Sequence, residues 1–205
     1  MKTEDTYLTL AGESEGLYKE KGSKFLAYAY PVETEEEIKE KVEALRKRYY
    51  DARHHCYAWV LGKDQKRFRA NDDGEPGHSA GDPILGQIRS FDLTNTLIVV
   101  VRYFGGTKLG VPGLVHAYKV SAAEAIENGK IEEKIVEDRL DVYFEYLSMN
   151  SVMKLIKQYD LEIKEQVFDN QCHIRLAVRQ TISAEVLAKF EKLDGVSTEL
   201  TETEA

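Results

Sequence analysis

One strand constrains this chain more than any other stretch. TLIVVVRYF, beginning at Thr96, is apolar at successive positions, so it presents apolar side chains to both faces of whatever sheet contains it. A strand of that kind is central and buried. It runs straight into GGTKLGVPG (105–113) and then into PGLVHAYKVSAAEAIENG, where Leu114, Tyr118, Ala122 and Ala125 line one side of a helix. Pro112 suits the first helical position and Gly129 the C-terminal cap. A second turn-rich stretch, FRANDDGEPGHSAGDPILGQI, precedes the strand at 68–88. Residues 74–113 hold eight of the fourteen glycines and three of the four prolines. Such a concentration serves tight turns or lets backbone approach a ligand closely.

The rest of the chain reads as α+β. EGLYKEKGSKFLAYAYPV (15–32) gives two strands, or one strand bulged at Gly22. TEEEIKEKVEALRKRYY is a helix with Thr34 and Glu37 at capping-box spacing and Ile38, Val42, Leu45 and Tyr49 on one face. HHCYAWVLG alternates His54, Cys56, Ala58 and Val60 against His55, Tyr57, Trp59 and Leu61, and KRFRAN returns beside it. ILGQIRSF reads as a short helix. Beyond residue 130 the order is a strand over EEKIVEDRLDVYFEYL, a helix over MNSVMKLIKQY, a hairpin turning at Asp169-Asn170, a helix over SAEVLAKFEKL and a last strand GVSTEL. That β-α-β-β-α-β order is the ferredoxin-like pattern, so two domains are expected, 1–133 and 134–205, with a frayed tail TETEA.

Composition narrows the function classes. The longest aliphatic run, LIVVV, is far short of the ~20 residues a spanning helix requires, so no membrane is expected as a partner. MKTEDTYL has no apolar signal-like region, and two cysteines in no pattern suit reduced thiols. A cytoplasmic protein is expected. The net charge of −8 is uneven: residues 131–205 carry 9 basic and 16 acidic side chains, whereas 46–69 carry eight basic against two acidic. An acidic protein is a poor general nucleic-acid binder, but the basic stretch could give a local footprint or simply a solvated face.

Three clusters could carry chemistry. The first is the turn from the buried strand into a helix N-terminus. Its backbone N–H groups and helix dipole make an anion site from Gly105, Gly106, Thr107, Lys108, Gly110 and Gly113. Lys108 precedes Gly110, which is not nucleotide-hydrolase P-loop spacing, and packing alone could also shape the loop. The second is the acidic loop Asp72, Asp73 and Glu75, able to do acid–base work or hold Mg²⁺, or to build Asx turns. The third, Arg67, Arg69 and Arg102, is the candidate nucleic-acid contact. His54, Cys56 and His78 lack metal-site spacing, and Cys56 and Cys172 sit on apolar faces, so no catalytic residue, metal or cofactor is assigned. His173, Arg175 and Arg179 form a polar stripe opposite the Cys172 face.

DARHHCYAW, RANDDGEPGHSAGDPIL and VVVRYFGGTKLGVPGLVHAY, in that order, resemble the YigZ/IMPACT family over about residues 15–130. Gly77-His78-Ser79-Ala80-Gly81 stands where that family usually has Ser-Gly-(Thr/Ser)-Ala-Gly, and Val111-Pro112-Gly113 where it has Ala-Gly-Gly. The resemblance implies an N-terminal α/β sandwich like the second domain of small-subunit ribosomal protein five. It implies a C-terminal ferredoxin-like domain similar to the last domain of elongation factor G. Eukaryotic relatives regulate translation by competing for an activator of an initiation-factor kinase. The expected function is therefore a non-enzymatic, translation-associated binding protein whose partners are RNA, the ribosome or a translation factor. An enzyme acting on a phosphorylated small molecule, and a purely protein-interacting module, are the alternatives. Oligomeric state is not legible.

Overall fold

The computed structural model describes residues 5–169 and 171–201. They divide into two compact units, residues 7–134 and residues 135–201 joined by residues 5–6. Each unit has its own core.

The first unit is built on an antiparallel five-stranded sheet. Its strands are β2 (Ser14–Glu20), β3 (Ser23–Pro31), β4 (His54–Leu61), β5 (Arg67–Asn71) and β6 (Thr96–Tyr103), in the order β2-β3-β6-β4-β5. The apolar strand is the middle one, as its sequence requires. Leu97, Val99 and Val101 pack with Ile38, Val42 and Leu45 of α1 (Glu35–Arg48) on one face. Ile98 and Val100 pack on the other with α2 (Gly81–Ser90) and α3 (Gly110–Glu127), through Ile84, Ala117 and Tyr118. Covering both faces explains why no polar residue interrupts β6 before Arg102.

Helix starts show where local signals are adjusted. Thr34 accepts from the Glu37 N–H at 3.2 Å, while the Glu37 carboxylate reaches back to the N–H of Glu33 at 2.7 Å, one residue outside the usual capping box. α2 begins at Gly81, ahead of the expected Ile84, because an acceptor from the preceding loop satisfies its first N–H groups. α3 begins at Gly110, so Pro112 is its third residue, not its first.

One short strand and one strand break escaped the sequence. β1 (Thr6–Leu10) pairs with β7 (Ile131–Ile135) as a separate two-stranded sheet. The single strand expected from Glu132 onward is in fact β7 and then β8 (Glu137–Phe144). It breaks at buried Val136, whose N–H donates to the Asp5 carbonyl at 2.7 Å and whose carbonyl accepts from Gln180 N–H at 3.0 Å.

The second unit continues with a 3₁₀ turn (Tyr146–Ser148), α4 (Met149–Gln158), β9 (Glu162–Phe168), β10 (Cys172–Arg179), α5 (Gln180–Phe190) and β11 (Val196–Thr201). Its sheet order is β11-β8-β10-β9, antiparallel throughout, which is the ferredoxin-like arrangement. Alternation on β8 and β10 sends Leu140, Val142, Ile174 and Leu176 into a core with Val152 of α4 and Val186 and Phe190 of α5. The turn residue Asn170 and the tail 202–205 lie outside the described residues. No helix among the described residues is long and apolar enough to cross a membrane.

Candidate functional site

The site starts from strand register. In the β4–β6 pairing His54 lies opposite Arg102, and in β3–β6 Phe25 lies opposite Arg102. The start of β4 and the end of β6 therefore lie at one end of the sheet, on the face covered by α3. The loop after β6 brings Lys108 and the first turn of α3 to the same end, and the loop after β5 brings Glu75. The result is a cleft of about 480 Å³ between the two glycine-rich loops. Its polar lining is Arg53, His54, Glu75, Arg102 and Lys108. Its apolar lining is Pro76, Phe104, Leu109, Val111 and Leu114.

Of the three loop carboxylates, only Glu75 enters this cleft. Asp72 is consumed by backbone: its Oδ1 accepts from the N–H of Ala80 at 3.0 Å and Gly81 at 2.8 Å, and its Oδ2 from His78 N–H at 2.8 Å. Partial burial pushes the Asp72 carboxyl up, but these donors and the nearby His78 outweigh it and hold it below the ordinary 3.8. Asp72 thus caps α2, whose own N-cap residue, Ala80, has no side-chain acceptor. Asp73 accepts from the His55 N–H at 2.7 Å and from Arg46 of α1 at 3.0 Å. Both aspartates serve structure, in line with the turn-building alternative for this loop, and only Glu75 lines the cleft.

Glu75 is held from two sides. Its Oε1 accepts from Arg102 Nη1 at 2.5 Å and from the Tyr118 hydroxyl at 2.8 Å, and its side chain is 4% exposed. Tyr118 in turn accepts from the Cys56 thiol at 3.3 Å, while that thiol also reaches the Asp72 carbonyl at 3.0 Å. Burial pushes both the Cys56 thiol and the Tyr118 hydroxyl up, far from ionising at neutral pH. Cys56 is therefore a poor nucleophile.

Arg102 does not lie on an open basic surface. Its side chain is 8% exposed, it stacks near Phe25 and Phe104, and its Nε has no hydrogen-bond partner among the described residues. Arg67 and Arg69 are elsewhere. Their register with Leu61 and Trp59 puts them on the α1 face of the edge strand β5, where Arg67 pairs with Glu35 at 3.1 Å and Arg69 borders a separate groove beside α1. The three arginines taken as one contact do not form one.

The anion loop has one donor spent, the Gly105 N–H, which the Ser23 hydroxyl accepts at 3.1 Å. Leu109 occupies the N-cap of α3 and offers no side-chain acceptor, and the first turn holds no acid. Thr107 and Lys108 are exposed, with no side-chain partner among the described residues, and Arg53 likewise has none. The loop is fixed at one end by Gly105: a Cβ there would lie 1.9 Å from the Gly22 carbonyl carbon. Gly106 (φ +88°) and Gly110 (φ +73°) turn the chain in left-handed conformations, and Gly113 lets Leu109 approach.

The polar stripe of the second unit closes on itself. Asp141, buried, accepts from His173 Nε2 at 2.7 Å and from Arg175 Nε at 2.9 Å and forms an ion pair with Arg139 at 2.9 Å, while His173 stacks on Tyr143 at 4.6 Å. Burial pushes Asp141 up, but the two donors and the charges of Arg175 and Arg139 outweigh it and hold the carboxyl below 3.8. Arg179 turns away to Asp5 at 2.8 Å.

Sequence reasoning missed Arg53, Phe104 and the partnering of Tyr118 with Glu75. No local signal marks them, because they meet only through antiparallel register.

The model of the Impact N-terminal domain matches residues 21–126, which include both glycine-rich loops and most of the sheet. The chain belongs to the IMPACT family. It is 33% identical to IMPACT family member YigZ of Escherichia coli over 83% of this chain and 84% of that protein. It is 39% identical to IMPACT family member YvyE of Bacillus subtilis over 64% of this chain and 61% of the relative. A solved structure described as that of an hypothetical protein covers 98% of this chain and 99% of its own, with 31% identity and a TM-score of 0.72. The IMPACT match thus spans both units, while the family model covers only the first.

Proposed function

We propose that this IMPACT-family protein is a non-enzymatic, translation-associated binding protein that contacts RNA phosphates, on the ribosome or in free RNA, through the cleft between its glycine-rich loops. One observation carries the reading: Arg53 and Lys108 stand without ion-pair partners among the described residues beside a helix N-terminus with no side-chain cap, in a cleft whose single carboxylate is already held by Arg102 and Tyr118. Unspent positive groups without a free acid–base pair suit anion binding better than catalysis. The translation setting follows from what the sequence resemblance implies for eukaryotic relatives, and two free, buried cysteines suit a reducing cytoplasm.

Co-sedimentation with ribosomes across a salt series tests it. Pelleting that weakens with salt, and weakens further in Lys108→Ala, is expected. No pelleting at any salt, together with no binding to free RNA, would refute the reading.

A second reading has one observation in its favour: Glu75 and Lys108 do share a cleft, as an enzyme acting on a phosphorylated small molecule would need. Its mark would be a rise in melting temperature with sugar phosphates or nucleotides that Mg²⁺ enhances.

A further inference from the structure

The cleft offers more charge than an internal nucleic-acid phosphate can use. Arg53, Lys108 and Arg102 face one carboxylate, Glu75, so the lining carries a net charge of two, to which the N-terminus of α3 adds about half a charge. An internal phosphodiester brings a single negative charge. A terminal phosphomonoester brings about −1.5 to −2 at neutral pH, with three acceptor oxygens. Arg102 contributes its charge from the wall of the cleft, its side chain 8% exposed and its Nη1 held by Glu75.

The other wall suits what such a phosphate would carry. Phe104 is 54% exposed, and with Leu109 and Val111 it forms an apolar side to the cleft. An aromatic face beside phosphate ligands is the arrangement on which a base stacks, worth about 1–3 kcal/mol per base. The volume, about 480 Å³, lies within the usual range for small-molecule sites. Phe104 also borders a second hollow, lined by Lys19, Lys24 and Tyr103, so a chain attached to the nucleoside can leave on that side.

We propose that the cleft selects a terminal phosphomonoester carried by a nucleoside, over an internal phosphodiester. The ligand is the phosphorylated end of an RNA or a free mononucleotide. The inference rests on the reading of the cleft as a phosphate site and specifies which phosphate it takes.

Equilibrium binding of the full chain, followed by fluorescence anisotropy, separates the possibilities. One short labelled RNA is compared with a 5′-phosphate, a 3′-phosphate or hydroxyls at both ends, with a nucleoside monophosphate as competitor. A phosphorylated end is expected to bind at least about tenfold tighter than the hydroxyl form, a difference lost in both Lys108→Ala and Arg53→Ala. Both side chains are exposed, and circular dichroism verifies that the variants fold. Competition by the mononucleotide with similar affinity would assign the ligand to that source and count against RNA as the physiological partner, leaving the end-selectivity intact. Equal affinity for all RNA ends, weakened alike by Lys108→Ala, would overturn the selectivity while the phosphate-contact reading stood. A preference for phosphorylated ends that both variants retain would place the site elsewhere and overturn the proposal. Absence of all binding would refute both.

Discussion

The two glycine-rich loops of the first unit have similar compositions and opposite uses. The loop at 72–81 is closed on itself: Asp72 and Asp73 spend their oxygens on backbone N–H groups and on Arg46, and Glu75 on Arg102 and Tyr118. The loop at 105–110 is pinned at Gly105, and its Thr107 and Lys108 side chains have no partner among the described residues. Density of turn residues therefore says that backbone is being shaped, not what for. The distinction lies in where the hydrogen bonds go.

Substitutions can break that comparison, the largest effect coming at the pinned point. Gly105→Ala would drive a Cβ to within 1.9 Å of Gly22 backbone. We expect it to cost about 3–4 kcal/mol in urea denaturation. Gly106→Ala, one residue on, meets nothing within 4 Å and suffers only its φ of +88°. It should cost about 1 kcal/mol. Similar costs for the two would mean that the loop is packed throughout and not open.

Asp72→Ala should cost about 2–3 kcal/mol, because N–H groups at the start of α2 lose their acceptor. The carboxyl is held below 3.8 in the folded protein, so its contribution is complete above that pH and vanishes as pH falls through the lowered value. The stability gap between the wild type and Asp72→Asn, measured by thermal melts, should therefore be constant from neutral pH to about 4 and close below it. A gap that is already closing at pH 6 would contradict the capping role.

The fold was legible where periodicity is strong and local. The double-faced β6, the alternating β4 and the Thr34 cap all follow from sequence. The β1–β7 sheet did not, since five-residue strands such as Thr6–Leu10 carry too little pattern and are held by a distant partner. The site was half legible. Lys108 and the helix start are contiguous in sequence, but the cleft also needs Arg53, Arg102 and Phe104, and only the His54–Arg102 register brings these together. Arg67 and Arg69 are close in number to the acidic loop, yet strand alternation points them to the face of the sheet opposite the cleft.

His78 gives a smaller test of the closed loop. It sits at φ +63°, the left-handed region, at the position where the resembling family's motif has glycine, and it pairs with Asp82 at 2.7 Å. Hydrogen bonding to Asp82 raises its imidazole above 6.5, so the pair stabilises at low pH and its contribution is lost as pH rises through the raised value. His78→Gly relieves the backbone and removes the pair. Its melting temperature relative to wild type should be higher at pH 8.5 than at pH 5.5, and a difference independent of pH would show that the pair contributes nothing.

Lys108→Ala should change stability by less than about 0.5 kcal/mol, because the side chain is exposed with no ion-pair or hydrogen-bond partner among the described residues, while binding suffers. That contrast leads to the most direct measurement: the salt dependence of RNA affinity for the wild type, Lys108→Ala, and an Arg67→Ala/Arg69→Ala double variant. A phosphate site in the cleft requires that Lys108→Ala flatten the slope of log K against log salt by about one, and that the double variant leave it unchanged. If the double variant flattens the slope and Lys108→Ala does not, the phosphate contacts lie on the α1 face of β5 and the cleft is not the site.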